Sequence, residues 1–189
     1  MALLRHVREV FIMKYTLAGK QNEYIKNLGE QLQKLGYEVS QQETDIFVYC
    51  IDPENFAQDD YEKMAKVYEE TALNLLKSVG RILPKMEKGK KRLCFVTKTA
   101  SSINYTETTE GFEKIVMAAC NMAITTLFNR LNPEGFTFRV FAAENFETEC
   151  PSYAAEYFLA DRSMEESSHR HSDEKRIAMR NWCEREIAW

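Results

Sequence analysis

Five residues of this 189-residue chain carry side chains fit for acid–base work near predicted strand ends: Asp52, Lys98, Tyr105, Glu113 and Glu144. A carboxylate beside a lysine can act as a proton donor–acceptor pair when its surroundings shift its pKa. The plainer account of the carboxylates is electrostatic. Glu107, Glu110 and Glu113 crowd a predicted helix start, where the helix dipole alone favours negative charge. Gly19-Lys20-Gln21 is the one stretch resembling a phosphate loop, and it fails on spacing. A dinucleotide turn uses three glycines and a Walker loop ends Gly-Lys-Ser/Thr, whereas this turn has one glycine followed by Lys-Gln. A receiver-type magnesium site is excluded in the same way: Asp52 follows the third strand, but Lys14 and Tyr15 stand where its acidic pair belongs.

Metal chemistry finds no ligand set. The cysteines (Cys50, Cys94, Cys120, Cys150, Cys183) are five in number and far apart, with no C-x-x-C pair. Such spacing suits reduced thiols in the cytoplasm, the expected location. His169 and His171 sit in a polar run that reads as a solvated linker. Charge is equally uninformative about large partners, because a net charge of −4 with scattered Lys and Arg makes no basic stripe for nucleic acid. No apolar run reaches membrane-spanning length, and the opening MALLRHVREV has no signal-peptide core. We therefore expect neither nucleic acid nor membrane as a partner.

The elements that must position these side chains follow from apolar periodicity. Strands are expected at Val10–Met13, Tyr37–Val39, Ile46–Cys50, Leu93–Val96 and Thr137–Phe141. Helices are expected over Gln21–Leu35, Asp59–Met86, Gly111–Leu131 and Tyr153–Ala160. The first presents Tyr24, Ile25, Leu28, Leu32 and Leu35 on one face and stops at Gly36. Strand–helix alternation with short links implies one α/β domain over 1–189. It is a three-layer, doubly wound, Rossmann-like parallel sheet of about five strands, order 2-1-3-4-5, with helices on both faces. Residues 161–175 are a polar segment, and 176–189 an apolar latch carrying Trp182, Ile187 and Trp189.

In such a sheet ligands sit beyond the carboxyl ends of the strands, which directs attention to Lys14–Lys20, Ile51–Asn55, Thr97–Tyr105 and Ala142–Thr148. The helix over 111–131 has two apolar stripes. One is Phe112, Val116, Ala119, Ala123 and Leu127; the other is Ile115, Ala118, Met122 and Thr126. A helix covering a sheet needs one, so the second is expected to pack on another subunit.

Several stretches resemble the short-chain dehydrogenase/reductase family. GKKRLCFVTKTASSIN followed by GFEKIVMAACNMAITTLFNRLNPEGFTFRVF is similar to the family's serine-bearing strand, its signature helix and the L-x-P-E-G turn beyond. Ala118-Ala119-Cys120-Asn121-Met122 looks like the A-A-L-N-M portion of that helix. KVYEETALNLLKSVGRILPKM, LGEQLQKLGYEV and the ending REIAW are similar to other framework segments.

The resemblance implies a Rossmann fold, NAD(P) chemistry and a dimer built on the helices at about 59–86 and 111–131. Yet the positions that would carry the reaction hold other residues. Aligned through Ala118–Met122, the cofactor lysine falls on Met117, the proton-exchanging tyrosine on Glu113 and the relay asparagine on Tyr68. The serine falls within Lys98–Ala100, with Ser101 and Ser102 displaced from it. Of the glycine turn only Gly19 remains, with Glu23 and Ile25 at the other two positions. Five residues separate Val39 from Asp45, where the family carries structure flanking the adenine.

The expectation is thus a truncated, degenerate member with a structural, regulatory or partner role as a homodimer, or as a heteromer with a full-length relative. Its cofactor is expected to be none. The alternative is an NAD(P)-dependent oxidoreductase with an atypical site, drawing catalysis from Glu113, Lys98 or Tyr105 and residual cofactor contacts from Gly19, Lys20, Tyr49, Ser101 and Ser102.

Overall fold

The computed structural model describes residues 12–57, 59–87, 91–102, 113–159, 177–181, 183 and 185–187. Its strands are β1 (Lys14–Gly19), β2 (Glu38–Val39), β3 (Ile46–Cys50), β4 (Arg92–Lys98), β5 (Thr137–Ala143), β6 (Met179–Arg180) and β7 (Glu186–Ile187). They form one sheet in the order β2-β1-β3-β4-β5-β6-β7. All neighbours are parallel except β6 and β7. The doubly wound arrangement expected from the alternation is therefore present, with two short strands added beyond the fifth.

The added strands come from the segment read as a latch. Met179 and Arg180 pair with Val140 and Phe141, and the chain then turns back through Asn181. The Asn181 side-chain oxygen accepts the Arg185 N–H at 3.0 Å and closes that turn. Met179 is fully buried and Ile187 packs against the core. Trp182, Trp189 and the polar segment 161–175 lie outside the described residues, as does His169–His171.

β1 needs correction. The apolar run Val10–Met13 was expected to be the first strand, but the strand is Lys14–Gly19, and Ile12 is 47% exposed. Val10 and Phe11 lie outside the described residues. Tertiary pairing overrode local hydrophobicity here, since Tyr15 to Gly19 run in register with Ile46 to Cys50 of β3. The stretch expected to be a ligand-binding turn is therefore mostly ladder.

One face of the sheet is covered by α1 (Glu23–Lys34) and α5 (Ser152–Leu159), which bury Ile25, Leu28, Leu32, Ala155 and Phe158 against Val48 and Phe141. Asn22 caps α1 through its side-chain oxygen to the Ile25 N–H at 3.0 Å. Leu35 is the C-terminal cap and is 52% exposed, so it leaves the apolar face to which periodicity assigned it.

The other face carries α2 (Tyr61–Tyr68), α3 (Asn74–Ile82) and α4 (Glu113–Leu131). The single helix expected over Asp59–Met86 is divided by a π turn, Glu69–Leu73, and ends in a 3₁₀ turn, Leu83–Met86, that contains Pro84. The Tyr49 hydroxyl donates to the Thr71 carbonyl at 3.2 Å, taking up an acceptor within the widened turn. On α4 the sheet-facing residues are Met117, Cys120, Ile124, Phe128 and Leu131. That stripe is displaced one position from the one expected. The second stripe is exposed where its large members stand, at Ile115 and Met122.

Candidate functional site

The strand order reverses between β1 and β3, so the crevice above their carboxyl ends is where this architecture places a ligand. Gly19 ends β1 there with φ +85°. A Cβ on it would lie 2.3 Å from the Cys50 carbonyl oxygen, and the next N–H, that of Lys20, donates to that same oxygen at 3.1 Å. The glycine is thus required by the approach of β3. Its turn spends on protein the amide that a phosphate loop would offer to an anion.

Beside it, Asp52 follows β3 and Lys98 ends β4, and the two form an ion pair at 2.6 Å with side chains 19% and 32% exposed. Asp52 also accepts from the Asn22 amide at 2.9 Å, so one carboxylate ties the ends of β3 and β4 to the start of α1. The Lys98 ammonium lies 5.2 Å from the Phe146 ring centre. Lys20 in turn reaches Glu54 at 3.5 Å on the surface. Lys20, expected as a cofactor contact, and Lys98, expected as a catalytic group, are both engaged by carboxylates.

Two cavities open at this crevice. One, of about 180 Å³, is lined by Gly19, Lys20, Tyr49, Asp52, Glu54 and Glu70, with Thr71 and Asn74 of the π-turn region behind them. The other, of about 390 Å³, is lined by Glu23, Tyr24, Asp52, Lys98, Phe146 and Glu149 among others. A third hollow, of about 350 Å³, lies along Glu144, Thr148, Glu149, Cys150 and Tyr153. Of the residues singled out from sequence, Gly19, Lys20, Tyr49, Asp52 and Lys98 come together at the crevice.

The others go elsewhere. Ser101 is fully buried: its hydroxyl donates to the Met179 sulfur at 3.4 Å and receives the Asn121 amide at 3.3 Å. It ties α4 to β6. Ser102 is also buried and lines neither crevice cavity. Glu113 heads α4 with one buried carboxylate oxygen that meets no hydrogen-bond partner among the described residues. Tyr105 lies outside the described residues.

The two tyrosines that line the crevice cavities, Tyr49 and Tyr24, are both shifted upward. Burial pushes the Tyr49 hydroxyl up to about 12, the Cys120 thiol nearby adding to the rise. The Tyr24 hydroxyl is raised further by burial and then by the Glu149 carboxylate. A catalytic tyrosine needs the opposite shift, supplied by a cation. Met117, at the position of the family's lysine, is wholly buried and apolar.

Sequence reading missed Tyr24, Asn22, Phe146 and Glu149 as crevice residues. Tyr24 was counted as apolar stripe, and only its place in the first turn of a helix beyond β1 could have signalled a crevice role. Phe146 and Glu149 lie in and just past the loop after β5, the one strand-end segment where no residue beyond Glu144 had been singled out.

No protein-family model matches the sequence, and no curated protein matches it. Solved structures do match in fold. A chain from Burkholderia multivorans assigned as a short-chain alcohol dehydrogenase superposes with a TM-score of 0.71 at 10% identity, covering 94% of this chain and 100% of that one. The carbonyl reductase Sniffer of D. melanogaster gives 0.68 at 10% identity with the same coverage. The chain has the short-chain dehydrogenase/reductase fold. A carbonyl reductase from Pseudomonas aeruginosa PAO1 in complex with NADP gives 0.69 at 8% identity, again over 94% and 100% of the two chains. Chains of this architecture include ones that hold NADP, so the fit of a dinucleotide to these residues can be judged directly. They do not form its cradle. The turn after β1 has no free glycine amide row, the first turn of α1 carries Glu23, and β2 stops after two residues.

Among the described residues, no group of three or more His, Cys, Asp or Glu is arranged to hold a metal, and no helix is long and apolar enough to cross a membrane.

Proposed function

We propose that this chain is a non-catalytic relative of the short-chain dehydrogenases and reductases, acting as a structural or regulatory subunit that pairs with a second copy of itself. The observation that carries this reading is the pair of residues on α4 where the reaction would be run: Glu113 and the buried Met117 in place of tyrosine and lysine. Without a positioned proton donor, a rate loss of about 10²–10⁴ is the ordinary consequence. A pyrophosphate at the crevice would also approach Glu23, an exposed carboxylate paired with Lys26 at 3.6 Å, so the repulsion it adds at 4 Å is about 1 kcal/mol or less.

Pairing is supported by the outer face of the α2–α4 layer. Tyr61 (70% exposed), Leu73, Leu76, Ile115 and Met122 (68% exposed) present apolar side chains to solvent there. Exposed apolar side chains on these helices are surface that association would remove from water. The helices are those read from sequence as the interface, 59–86 and 111–131. A full-length relative offering the same two helices is the alternative partner.

The second reading, an NAD(P)-dependent oxidoreductase with an atypical site, is favoured by the Lys98–Asp52 pair at the crevice edge and by the fold shared with NADP-bound reductases. Titration with NADH and NADPH, followed by calorimetry, separates the two. The non-catalytic reading expects no binding up to millimolar nucleotide, and micromolar binding would overturn it. Light scattering on a sizing column tests the pairing, with a mass near twice 22.1 kDa expected.

A further inference from the structure

The α2–α3 arm carries one apolar stripe in sequence and two orientations in space. Tyr61, Ala65 and Tyr68 lead into Ala72, Leu75 and Val79 at alternating steps of four and three, the spacing of one face of a straight α-helix. Ala72, Leu75 and Val79 are buried in the core, whereas Tyr61, Ala65 and Tyr68 are exposed. On α2 the inward places are held by Val67 and Met64 instead, which pack with Phe56 and Val116. The stripe is broken by one position.

The break is the π turn Glu69–Leu73. There the Asn74 N–H reaches back five residues to the Glu69 carbonyl, so the turn holds one residue more than an α turn does. One residue is about 100° of rotation and about 1.5 Å of rise. Relaxing the turn would therefore move each α2 side chain into its predecessor's place, Tyr68 into that of Val67 and Ala65 into that of Met64.

The place of Val67 has room for a ring. Val67 stands on the wall of the crevice cavity of about 180 Å³, together with Glu70 and Thr71 of the π turn itself. A cavity of about 150 Å³ holds benzene, and the Asp52 and Asn74 side chains on the same wall offer a tyrosine hydroxyl its polar partner. We propose that α2 has two registers and that this cavity is the seat of Tyr68 in the second, so that the chain's own side chain closes the crevice there. The Tyr49 hydroxyl, donating to the Thr71 carbonyl at 3.2 Å, is the positioning group that holds the first register. In a straight helix that carbonyl accepts the Leu75 N–H instead. One consequence rests on the pairing reading: a change of register alters which α2 side chains the outer face presents, and so changes the affinity of the pair.

The test is tyrosine nitration by tetranitromethane, read by peptide mass spectrometry in the full chain carrying Leu76→Glu and Met122→Glu, so that pairing shields nothing. Tyr61 is the internal reference, because one step back puts it at the exposed place of Asp60. Without further change both Tyr61 and Tyr68 should react. Tyr49→Phe removes the lock and should lower the Tyr68-to-Tyr61 ratio about threefold. Adding Val67→Ala, which takes away the side chain filling the inward place, should lower it about tenfold or more. Deleting Glu70 from that double variant removes the extra residue, keeps Tyr68 outside and should restore the starting ratio.

An unchanged or raised ratio would overturn the proposal, as would protection of Tyr68 that the deletion does not relieve. If Val67→Ala unfolds the helix, both tyrosines react faster together, and the ratio in Tyr49→Phe alone decides. Light scattering of Tyr49→Phe with the outer face intact reads the consequence for pairing. A parent chain that runs as a monomer would overturn the pairing reading, while the nitration ratio still decides the register.

Discussion

The crevice above β1 and β3 and the outer face of the α2–α4 layer have diverged in opposite directions from what their shared fold suggests. At the crevice the cations and the turn amide are committed to protein: Lys98 to Asp52, Asp52 also to Asn22, the Lys20 amide to Cys50. On the outer face Tyr61, Ile115 and Met122 stand 70%, 52% and 68% exposed. A surface that still exposes apolar side chains has its main gain in association, whereas an open crevice whose cations are held by carboxylates has less to offer an anion. Substitutions should therefore cost stability at the crevice and leave it untouched on the outer face.

The largest effect is expected at Gly19. Alanine there places Cβ 2.3 Å from a backbone oxygen that cannot swing away, at a φ that L side chains rarely adopt. Gly19→Ala should lower unfolding free energy by ~3 kcal/mol, read from urea denaturation. A loss under ~0.5 kcal/mol would mean that the turn is loose, and would reopen the crevice to a phosphate.

High pH comes next, and it probes the core beneath the crevice. Burial raises the Cys94 and Cys120 thiols from 9.0 to about 12. An acid with a raised folded pKa stays protonated while its unfolded form ionises. Stability is then full below pH 9 and falls between about 9 and 12, by ~1.4 kcal/mol per pH unit for each thiol. Urea midpoints at pH 8 and pH 10 should differ accordingly. Equal midpoints would show these thiols to be reached by water.

Lys98→Met follows, removing the ammonium and leaving Asp52 half-compensated by Asn22. The pair lies between a surface and a buried ion pair, so a cost of about 1–2 kcal/mol is expected by chemical denaturation. If the variant is as stable as the parent, the Asp52–Lys98 bridge contributes only position, and the contrast between the two regions narrows.

How much of this was readable in sequence differs between the same two regions. The sheet order and the apolar outer stripe were legible because both follow from periodicity over ten or more residues: Ile115 and Met122 lie seven apart and share a helical face wherever the helix begins. β1 was not, because its ladder partner rather than its own hydrophobicity decides where it starts. The crevice was half legible. Lys98, Asp52 and Gly19 come at strand ends, which sequence locates. Tyr24, Phe146 and Glu149 converge from a helix and a loop, and only tertiary packing brings them to one cavity. The π turn Glu69–Leu73 has no local signature either, being fixed by contacts such as Tyr49 to the Thr71 carbonyl.

The smallest effect on stability is expected on the outer face, and there it is the most informative. Met122 and Leu76 are exposed, at 68% and 42%, so Met122→Glu and Leu76→Glu remove no core contact and should change monomer stability by less than ~0.5 kcal/mol. In a pair related by a twofold axis each substitution is met twice, and carboxylates are brought to an apolar seam where they lose water without gaining partners. The double variant should therefore run at half the mass of the parent on a light-scattering column while melting, as a monomer, much as the parent monomer does. A variant that keeps the parent mass would place the interface elsewhere, leave these side chains as ordinary exposed apolar surface, and remove the contrast from which the pairing was argued.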